Sequence, residues 1–477
     1  MHVQKSMPIA EKAFSKRHFS ANLSIMNYAV PEKLSELSNI FRSHGYSLYL
    51  VGGAVRDYIL GNQNHDYDFT TDATPLEIKS MFRKTIDTGI KHGTVTVLFK
   101  GESYEITTFR SEGEYHDGRH PDSVMFIRSL DEDLRRRDFT INALAADLES
   151  GMIIDQHGGI EDIKRKRIKA IGCPEERFHE DGLRLMRACR FASKLDFDID
   201  EETFNAIRKM HGNIASVSKE RIKDELFRLI DGKAPSKGLE FMRESGLMDD
   251  VLPELSLCYG VEQGGFHRED VYTHLLLALE YANRNSFSLN VKAAALFHDI
   301  GKPECRREGE NRYTFYGHDI ASERITKEIL DRLKASNAEK HIISHLVREH
   351  MFAYTHDWSE GAVRRFINRV GEKYLDDLFM LRAADRAATT GNMPADGAEE
   401  DKELRDRVRV MLLSKPALSL KDLKIDGNTL KRENIASGPL LGLTLRYLLS
   451  EVIEDPEKNE EKTLLSLSRH FVQCQGR

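Results

Sequence analysis

Two carboxylates, Asp66 and Asp68, are separated by one residue in the segment HDYDFTTDATP (65–75), which otherwise has the composition of a strand. Successive side chains of a strand point to opposite faces, so we expect both carboxylates on one face. Like charges at this spacing repel each other unless a cation lies between them. Taken alone, such a pattern most often marks a solvated strand edge or a turn. Whether the two aspartates mark a cation site therefore depends on which residues surround them.

A glycine pair lies upstream of these carboxylates. The segment SLYLVGG (47–53) indicates a strand that ends in Gly52 and Gly53, and AVRDYILG (54–61) indicates a helix that follows. Backbone N–H groups at such a junction can approach an anion, and Arg56, one turn into the helix, can reach the same anion. With the carboxylates, these residues describe a triphosphate beside Mg²⁺, which prefers one or two carboxylates plus substrate phosphates. Two such ions activate an attacking hydroxyl and stabilise a leaving pyrophosphate.

Arginines follow in two further segments. RRRDFTINALAAD (135–147) contains Arg137 and Asp138, an adjacent pair suited to a phosphate and a ribose hydroxyl. In HEDGLRLMRACRF (179–191), Asp181 precedes three arginines that recur at every third position: Arg184, Arg187 and Arg190. A solvated basic stripe on a helix is one interpretation of this spacing. The other is base recognition, because aspartate and arginine offer the acceptors and donors that pair with the Watson–Crick edge of a base.

Histidine and aspartate recur along the helical second half of the chain, at His274, His298, Asp299, His318, His350 and Asp385. A single histidine on an apolar helix is usually a core residue. An adjacent His–Asp pair, with a distant histidine before it and a distant aspartate after it, instead indicates a metal site. Imidazole and carboxylate together suit Mn, Fe, Ni, Zn or Mg.

Length and composition indicate a soluble chain of several domains. Its 477 residues are enough for two to four domains, and the 40% hydrophobic and 31% charged content is ordinary for a globular protein. The net charge of −7 means that a nucleic-acid partner would have to be met by local basic patches. No apolar run approaches the roughly 20 residues that span a bilayer. The five cysteines are scattered without a C-x-x-C pair, so we expect a reducing compartment, the cytoplasm.

The secondary structure that positions these residues changes along the chain, from mixed strands and helices to helices alone. Residues 74–82 predict a helix with a capping box, and 94–109 predict a hairpin, so the first region is α+β on a small mixed sheet. From about residue 159 the pattern is helical. The composition of 389–403 indicates a linker or a long loop. The basic leader, 1–27, has the composition of a transit peptide or of a frayed start.

These motifs, in this order, resemble the class II tRNA nucleotidyltransferase and bacterial poly(A) polymerase family. The resemblance covers roughly residues 47–195 and rests on five segments: LVGGAVRDYILG, HDYDFTTDATP, EITTFRSEGEYHDGRHPDSVMF, RRRDFTINALA and HEDGLRLMRACRF. It implies a polymerase-β-like nucleotidyltransferase head, with Mg²⁺ as cofactor and with CTP, ATP and tRNA as substrates.

The resemblance also implies a role for individual residues. Gly53 and Arg56 would contact the triphosphate, Asp66 and Asp68 would bind Mg²⁺, and Arg137 would contact the nucleotide. Asp181 and Arg184 would act as an amino-acid template for the incoming base, with Arg187 and Arg190 behind them. Glu105, on the predicted hairpin, would be an additional carboxylate near the metal ions.

The histidine and aspartate series resembles the HD phosphohydrolase superfamily. The resemblance implies His274, His298, Asp299 and Asp385 as core metal ligands, with His318 and His350 at positions that complete a two-metal site in some members. It leaves the metal open among Mn, Ni and Mg, and it leaves the hydrolytic activity open, since HD folds persist after catalysis is lost.

We therefore predict an α+β head with a polymerase-β-like fold, followed by an all-α neck and an all-α HD domain. The expected boundaries are a leader (1–27), the head (28–158), the helical neck (159–255), the HD domain (256–392) and a C-terminal helical region (393–477).

The predicted function is template-independent addition or repair of the 3′-terminal CCA of tRNA. The acceptor stem and 3′ end would be the bound parts of the tRNA, and neither a membrane nor DNA is expected as a partner. Residues 110–122 resemble the loop that full CCA-adding enzymes carry and CC-adding enzymes lack, but A-adding enzymes also carry it. The alternatives are an A-adding enzyme or a poly(A) polymerase, a non-catalytic RNA-binding protein, and an HD hydrolase whose head only targets it.

Overall fold

The computed structural model describes residues 27–62, 66–90, 93–112, 124–264, 269–309, 313–390 and 399–475. The predicted leader, most of the predicted loop 110–122 and the centre of the predicted linker lie outside the described residues. The chain divides into two compact units. The first comprises Met1–Ser111, Phe126–Leu134 and Asn142–Ile160, and the second comprises Glu112–Met125, Arg135–Ile141 and Glu161–Arg477.

The strands of the described residues are β1 Leu48–Val51, β2 Asp68–Thr71, β3 Thr85–Gly89, β4 Thr94–Phe99, β5 Glu102–Thr108, β6 Arg110–Glu112, β7 Val124–Phe126, β8 Leu144–Asp147, β9 Ile153–Asp155, β10 Arg167–Ile168, β11 Asp198–Ile199, β12 Arg307–Glu308 and β13 Tyr313–Thr314. The helices are α1 Glu32–Ser43, α2 Gly53–Ile59, α3 Pro75–Met81, α4 Leu130–Arg135, α5 Gly159–Lys164, α6 Pro174–Glu180, α7 Leu183–Leu195, α8 Glu201–Met210, α9 Lys219–Ile230, α10 Pro235–Glu244, α11 Leu247–Val251, α12 Pro253–Ser256, α13 Val271–Arg284, α14 Leu289–Phe297, α15 Lys302–Cys305, α16 His318–Arg332, α17 Asn337–Glu349, α18 Glu360–Val370, α19 Leu375–Thr390, α20 Glu399–Leu413, α21 Gly427–Arg432, α22 Gly438–Glu454 and α23 Glu461–Gln475.

The first unit is built on a seven-stranded mixed sheet with the strand order β3-β4-β5-β2-β1-β8-β9. Strands β4 and β5 form the predicted hairpin, and β2 runs parallel to β5 but antiparallel to β1. Along β5, Tyr104 and Ile106 are buried, whereas Glu105 between them is exposed. This alternation places one face of the sheet against the core and leaves the other face for polar residues.

The predicted capping box of α3 is confirmed. The Thr74 hydroxyl accepts a hydrogen bond from the Glu77 backbone N–H, and the Glu77 carboxylate accepts one from the Thr74 N–H at 2.7 Å. The Glu77 carboxylate accepts hydrogen bonds from the Thr74 N–H and from the Tyr46 hydroxyl. Both stabilise its charged form and lower the pKa of Glu77. Pro75 occupies the first turn, where its missing N–H costs no hydrogen bond.

The second unit is mainly helical, and its central helices are almost wholly buried. In α7, ten of the 13 residues are buried, and α7 packs against α9 and α10. Helix α14 has the sequence LNVKAAALF and is apolar on nearly every side, as expected of a helix enclosed by neighbours. It packs against α13, α17 and α19. These helices enclose the His and Asp residues considered below.

Three details differ from the sequence predictions. Strand β2 begins at Asp68, so Asp66 lies just before the strand and not within it. The region after residue 159 is not purely helical, because β10 pairs with β11 and β12 pairs with β13. Helix α20 begins at Glu399, inside the predicted linker, since acidic residues favour the first turn of a helix.

Within the described residues, none of the helices is both long enough and apolar enough to cross a membrane.

The C-terminal helices enclose a small hydrophobic core of their own. Leu448 of α22 is fully buried there, together with Leu430, Val452 and Leu464. Leu443 lies on the same helix but is 45% exposed. This pair of leucines permits a matched test of the core.

We expect Leu448→Ala to lower the free energy of unfolding by about 2–5 kcal/mol, because it removes buried methyl groups and leaves a cavity. Leu443→Ala should change it by no more than about 0.5–1 kcal/mol, as exposed substitutions do. Urea denaturation, with hydrogen exchange to localise the opening to residues 423–464, measures both. Equal effects of the two substitutions would contradict the burial of Leu448.

Candidate functional site

Three carboxylates lie at one end of the sheet in the first unit. Asp68 opens β2, where its register partners are Val51 of β1 on one side and Glu105 of β5 on the other. Asp66 lies two residues before the strand. Asp66, Asp68 and Glu105 are all exposed, whereas Phe69 is buried. Carboxylate oxygens are the donors that a hard cation such as Mg²⁺ prefers, and one or two carboxylates with substrate phosphates suffice for it, so these residues have the chemistry to hold such an ion.

Gly52 and Gly53 form the junction between β1 and α2, where the sequence predicts a glycine pair between a strand and a helix. Gly52 has φ +69°, in the region that side chains strain, and its N–H donates to the Leu144 carbonyl at 3.1 Å. Gly53 begins α2. One turn later, the Arg56 side chain is buried and donates to Asn142 Oδ1 at 2.6 Å. This hydrogen bond fixes the guanidinium against the same end of the sheet.

The arginines of α7 do not form a solvated stripe. Arg187 donates to Asp138 Oδ2 from Nε at 2.8 Å and from Nη2 at 2.5 Å. Arg190 lies 2.5 Å from Glu225 of α9, and its guanidinium stacks on the Phe191 ring at 3.7 Å. Burial lowers the pKa of Arg187, but Asp138 and Glu225 outweigh burial and raise it above its usual value. At Arg190, burial lowers the pKa by more than the charge of Glu225 raises it, and the pKa falls to about 10.

Asp181 and Arg184 lie together at the start of α7, and neighbouring groups hold both. Asp181 accepts from the Leu183 N–H at 3.0 Å and from Arg221 Nη2 at 2.8 Å. Arg184 is buried and donates to Glu180 Oε2 at 2.5 Å. It also donates to the backbone carbonyls of Arg177 and Arg136, at 3.1 and 3.0 Å. Arg137 is half-buried in the turn beside Asp138.

The sequence analysis missed two residues of this network, Arg221 and Glu225. Both belong to α9, one turn apart, and they hold Asp181 and Arg190 respectively. The available signal was an opposite charge pair at i and i+4 in SKERIKDELFRL. That pattern usually marks a pair on a solvated helix face, so only the packing of α9 on α7 reveals its role.

The four HD residues are brought together by three helices. His274 of α13 and His298 at the end of α14 approach each other with 3.1 Å between their Nε2 atoms. Asp299 Oδ2 lies 3.4 Å from each of these nitrogens, and Asp385 Oδ1 of α19 lies 3.3 and 3.6 Å from them. All the donor atoms lie within 4.8 Å of one another, as one metal ion requires.

A second group shares Asp299. Its Oδ1 lies 3.1 Å from His318 Nε2 and 3.6 Å from His350 Nε2. These three atoms are buried and make no hydrogen bond to any residue in the described part of the chain. Buried polar atoms without hydrogen bonds are costly unless they coordinate a cation, so Asp299, His318 and His350 would fit a second divalent cation beside the first group.

The tautomers of three of these histidines are fixed in the form that ligates metals. The Nδ1–H groups of His298, His318 and His350 donate to the backbone carbonyls three residues earlier, at 2.9, 2.8 and 2.7 Å. The Nε2 lone pairs are therefore directed into the cluster. Burial lowers the pKa of His350. Burial also opposes protonation of His298, but Asp299 and Asp385 raise its pKa to about 10, so a cation would displace that proton.

A lysine and a glycine fix the position of Asp299. Lys302 Nζ lies 2.5 Å from Asp299 Oδ2 and donates to Gln263 Oε1 at 2.6 Å. Although burial raises the pKa of Asp299, Lys302 and His298 hold it well below its usual range. Gly301 lies directly against α16, where an added Cβ would come within 2.5 Å of the Ser322 backbone nitrogen.

Sequence profiles of three known domains match consecutive parts of the chain. The profile described as "Poly A polymerase head domain" matches residues 48–169. The profile described as "Probable RNA and SrmB- binding site of polymerase A" matches residues 196–258, and the HD domain profile matches residues 271–390. The carboxylates of the sheet thus fall in the first match and the His–Asp cluster in the third.

Known proteins resemble the chain over different lengths. A CCA-adding enzyme of Ligilactobacillus salivarius is 35% identical over 433 residues, which are 91% of this chain and 94% of that protein. A CCA-adding enzyme of Lactobacillus helveticus is 52% identical over 207 residues, 43% of this chain and 52% of that protein, so this alignment spans about half of the relative. The crystal structure of the Bacillus stearothermophilus CCA-adding enzyme in complex with CTP has a TM-score of 0.71 and 28% identity, over 93% of this chain and 98% of that one.

We expect Glu225→Ala to lower the free energy of unfolding by about 3 kcal/mol or more, because it leaves the buried Arg190 without its carboxylate. The control is Glu161→Ala, which breaks an exposed i,i+4 pair with Arg165 and should cost no more than about 0.5 kcal/mol. Chemical denaturation of the two variants beside the wild type measures the difference. A Glu225→Ala variant as stable as the control would show that the buried pair does not hold α9 on α7.

Proposed function

The chain belongs to the family of CCA-adding enzymes, and from that premise we propose that it completes or repairs the 3′-terminal CCA of tRNA from CTP and ATP, without a nucleic-acid template. The observation that carries the proposal is the placement of Asp68 beside Glu105 on adjacent strands, with Asp66 just before them. The similarity to the L. salivarius enzyme, which extends over 91% of this chain, supports the same activity.

The reaction is an in-line displacement at phosphorus. The 3′-oxygen of the RNA forms a bond to the α-phosphorus of the nucleotide, the bond from the α-phosphorus to the bridging oxygen breaks, and pyrophosphate leaves with that electron pair. The hydroxyl proton is released to solvent. When bound, Mg²⁺ at Asp66 and Asp68 supplies charge neutralisation for the attacking and leaving oxygens. The Gly52–Gly53 turn and Arg56 hold the triphosphate, so the protein contributes positioning and electrostatics.

Nucleotide choice is assigned to Asp181 and Arg184, with Arg137 contacting the nucleotide. The support is their fixed geometry: Arg221 restrains the Asp181 carboxylate, and Glu180 with two backbone carbonyls restrains Arg184. Arg187 and Arg190 act behind them, because their ion pairs to Asp138 and Glu225 hold α7 in place. A preorganised pair can distinguish bases by hydrogen bonding without a template strand.

The tRNA partner is expected to be gripped through its acceptor stem. Duplex RNA presents shape, phosphates and 2′-hydroxyls, so recognition by the helices that follow residue 195 would be insensitive to sequence. The match of residues 196–258 to an RNA-binding profile supports this assignment. We place the reaction in the cytoplasm, in keeping with the scattered cysteines. Labelled CTP or ATP, supplied with tRNAs that end before CCA or after CC, separates full CCA addition from A addition.

We expect Asp68→Ala to reduce both C and A addition by roughly a thousandfold or more, because one metal site serves every step. Binding of tRNA should persist, since the substitution removes no contact with the acceptor stem. Asp87→Ala is the matched control, because Asp87 is an exposed carboxylate of the same sheet that pairs with Lys79. Rates of Asp68→Ala close to those of the control would show that the metal assignment is wrong.

A second candidate function, phosphohydrolysis, is favoured by the His–Asp cluster. The two groups that share Asp299 would hold one or two divalent cations among Mn²⁺, Ni²⁺ and Mg²⁺. A phosphomonoester or a 2′,3′-cyclic phosphate at a damaged RNA end is the proposed substrate. Such an end has no 3′-hydroxyl, and addition requires one, so removal of the phosphate would prepare the RNA for the first reaction.

We expect Asp385→Asn and His298→Ala to lose metal-dependent hydrolysis of a 2′,3′-cyclic nucleotide while nucleotide addition remains near the wild-type rate. Each substitution removes one ligand of the cluster and leaves the carboxylates of the sheet intact. Melting temperature and metal content, measured for both variants, separate loss of a ligand from loss of the fold. A wild type without hydrolysis in Mn²⁺, Ni²⁺ or Mg²⁺ would make the cluster structural. A folded His298→Ala variant that lost addition would mean that the two activities are coupled.

A further inference from the structure

A short two-stranded ribbon adjoins the His–Asp cluster of the second unit. It consists of β12 and β13, which pair antiparallel, and it lies in the chain between the ligands Asp299 and His318. Residues 310–312, between the two strands, lie outside the described residues. Neither of the proposed reactions gives this ribbon a role.

Both ends of the ribbon are tied to the cluster. Before β12, Lys302 Nζ lies 2.5 Å from Asp299 Oδ2. After β13, the Phe315 carbonyl accepts a hydrogen bond from His318 Nδ1 at 2.8 Å, and the centroid of the Phe315 ring lies 5.6 Å from Lys302 Nζ. These contacts hold the ribbon beside the two groups of ligands that share Asp299.

An exposed aromatic ring lies at the end of the ribbon nearest to the cluster. Phe315 is half-buried, whereas the next residue, Tyr316, is 85% exposed. Two residues span at most about 7 Å, so the backbone of Tyr316 lies within that distance of the ligand His318. Single exposed apolar residues are ordinary, but an aromatic ring beside a metal ligand offers a stacking surface to a substrate that reaches the metal.

The two faces of the ribbon differ in charge. Arg307 is the register partner of Thr314, and Glu308 is the register partner of Tyr313. Successive residues of a strand point to opposite faces, so Arg307 and Glu308 lie on different faces. Arg307 is exposed, and its Nη1 donates to two backbone carbonyls, which do not neutralise its charge. None of the described carboxylates forms an ion pair with it.

Two acidic side chains near the ribbon are already neutralised. Arg324 Nη2 lies 2.6 and 2.7 Å from the two carboxylate oxygens of Glu304, which precedes β12. Asp319, which follows His318, forms an ion pair with Arg348. The charge of Arg307 is therefore available to an anion that approaches the cluster along the ribbon.

An exposed aromatic ring and an exposed arginine in succession are the groups that bind single-stranded RNA. Resting on the proposed phosphohydrolysis, we propose that the ribbon binds the single-stranded 3′ end of the RNA whose terminal phosphate enters the cluster. Tyr316, two residues from His318, stacks on the base of the terminal nucleotide. Arg307, opposite Thr314 and thus farther along the ribbon, contacts the phosphate that precedes this nucleotide. The substrate of the cluster is then the end of a polynucleotide.

These two contacts suit an RNA end of any sequence. Stacking on an aromatic ring tolerates every base, because every base has a π-face. Contacts with backbone phosphates fix the position of a strand and carry no sequence information. Ends that differ in their terminal nucleotide would therefore be bound alike.

Three cyclic esters separate the two contacts. Glycerol 1,2-cyclic phosphate has no base, a mononucleotide 2′,3′-cyclic phosphate has a base but no preceding phosphate, and a single-stranded trinucleotide with the same cyclic end has both. In the full-length protein with Mn²⁺, Tyr316→Ala should lower kcat/KM about tenfold for both nucleotide substrates, since base stacking has that magnitude. Arg307→Met should lower kcat/KM for the trinucleotide alone. Neither variant should change hydrolysis of the glycerol ester.

Two further variants are controls. Tyr316→Phe retains the ring, so it should keep the wild-type kcat/KM for all three substrates. Arg165→Met is matched to Arg307→Met, because Arg165 is an exposed arginine of the same unit that pairs with Glu161. It should leave all three rates unchanged.

A second measurement does not depend on turnover. A fluorescent trinucleotide that ends in a 3′-phosphonate, whose carbon–phosphorus bond resists hydrolysis, reports affinity by anisotropy. Tyr316→Ala should weaken its binding about tenfold. Arg307→Met should reduce the magnitude of the slope of log Kd against log salt by about 0.7, as the loss of one phosphate contact does. The metal content of each variant shows whether the cluster is intact.

Unchanged kcat/KM and unchanged affinity in both variants would overturn the proposal. A Tyr316→Ala variant that lost bound metal, or lost activity on the glycerol ester, would also overturn it, because Tyr316 would then act by supporting His318. If the wild type hydrolysed none of the three esters with Mn²⁺, Ni²⁺ or Mg²⁺, the proposed phosphohydrolysis would fail. The affinity for the phosphonate would still decide whether the ribbon binds RNA.

Discussion

The pairing of the buried Arg190 and the half-buried Arg187 with carboxylates is the constraint on which the packing around α7 depends. A guanidinium removed from water is costly unless it gains a charged partner with good geometry. Arg187 obtains this partner from Asp138, and Arg190 obtains it from Glu225. The segment that carries Asp138 and helix α9, which carries Glu225, must therefore both pack against α7. At the start of α7, Arg221 holds Asp181 and Glu180 holds Arg184, so these two side chains also have fixed positions.

The His–Asp cluster uses a different device to achieve a fixed geometry. Its histidines come from separate helices, and three of them donate to the backbone carbonyl three residues earlier in the chain. Each ring orientation is thus set locally, and packing of the helices brings the Nε2 atoms together. Asp299 then joins the two groups, because each of its oxygens faces a different pair of histidines. A ligand arrangement of this kind is largely formed before a cation binds, which reduces the entropy lost on binding.

Local signals in the sequence predicted much of this structure. The capping box at Thr74 and the hairpin of β4 and β5 depend on neighbouring residues, so their patterns were sufficient. The pairing of Asp68 with Glu105 joins residues far apart in the chain, so no local pattern predicts it. The family resemblance placed Glu105 near the metal ions, and the sheet order gives the register. Local patterns also do not predict the roles of Arg221 and Glu225, whose spacing is that of an ordinary surface pair. The resemblance to a known family supplied the His–Asp set, but the sharing of Asp299 between two groups required the geometry. The domain boundaries and the role of each site residue stay predictions.

The close approach at Gly301 has a consequence for how this chain can change over generations. Here the loop that carries Asp299 lies directly against α16, the helix that carries His318, and the Gly301 N–H donates to Ser322 Oγ. This contact sets the separation between the two ligands. Position 301 accepts only glycine, because the Cβ of any other residue would push the loop away from α16. A single substitution of Gly301 in a descendant protein would therefore separate Asp299 from His318 and remove the metal-ligand cluster, while the surrounding helices remain folded.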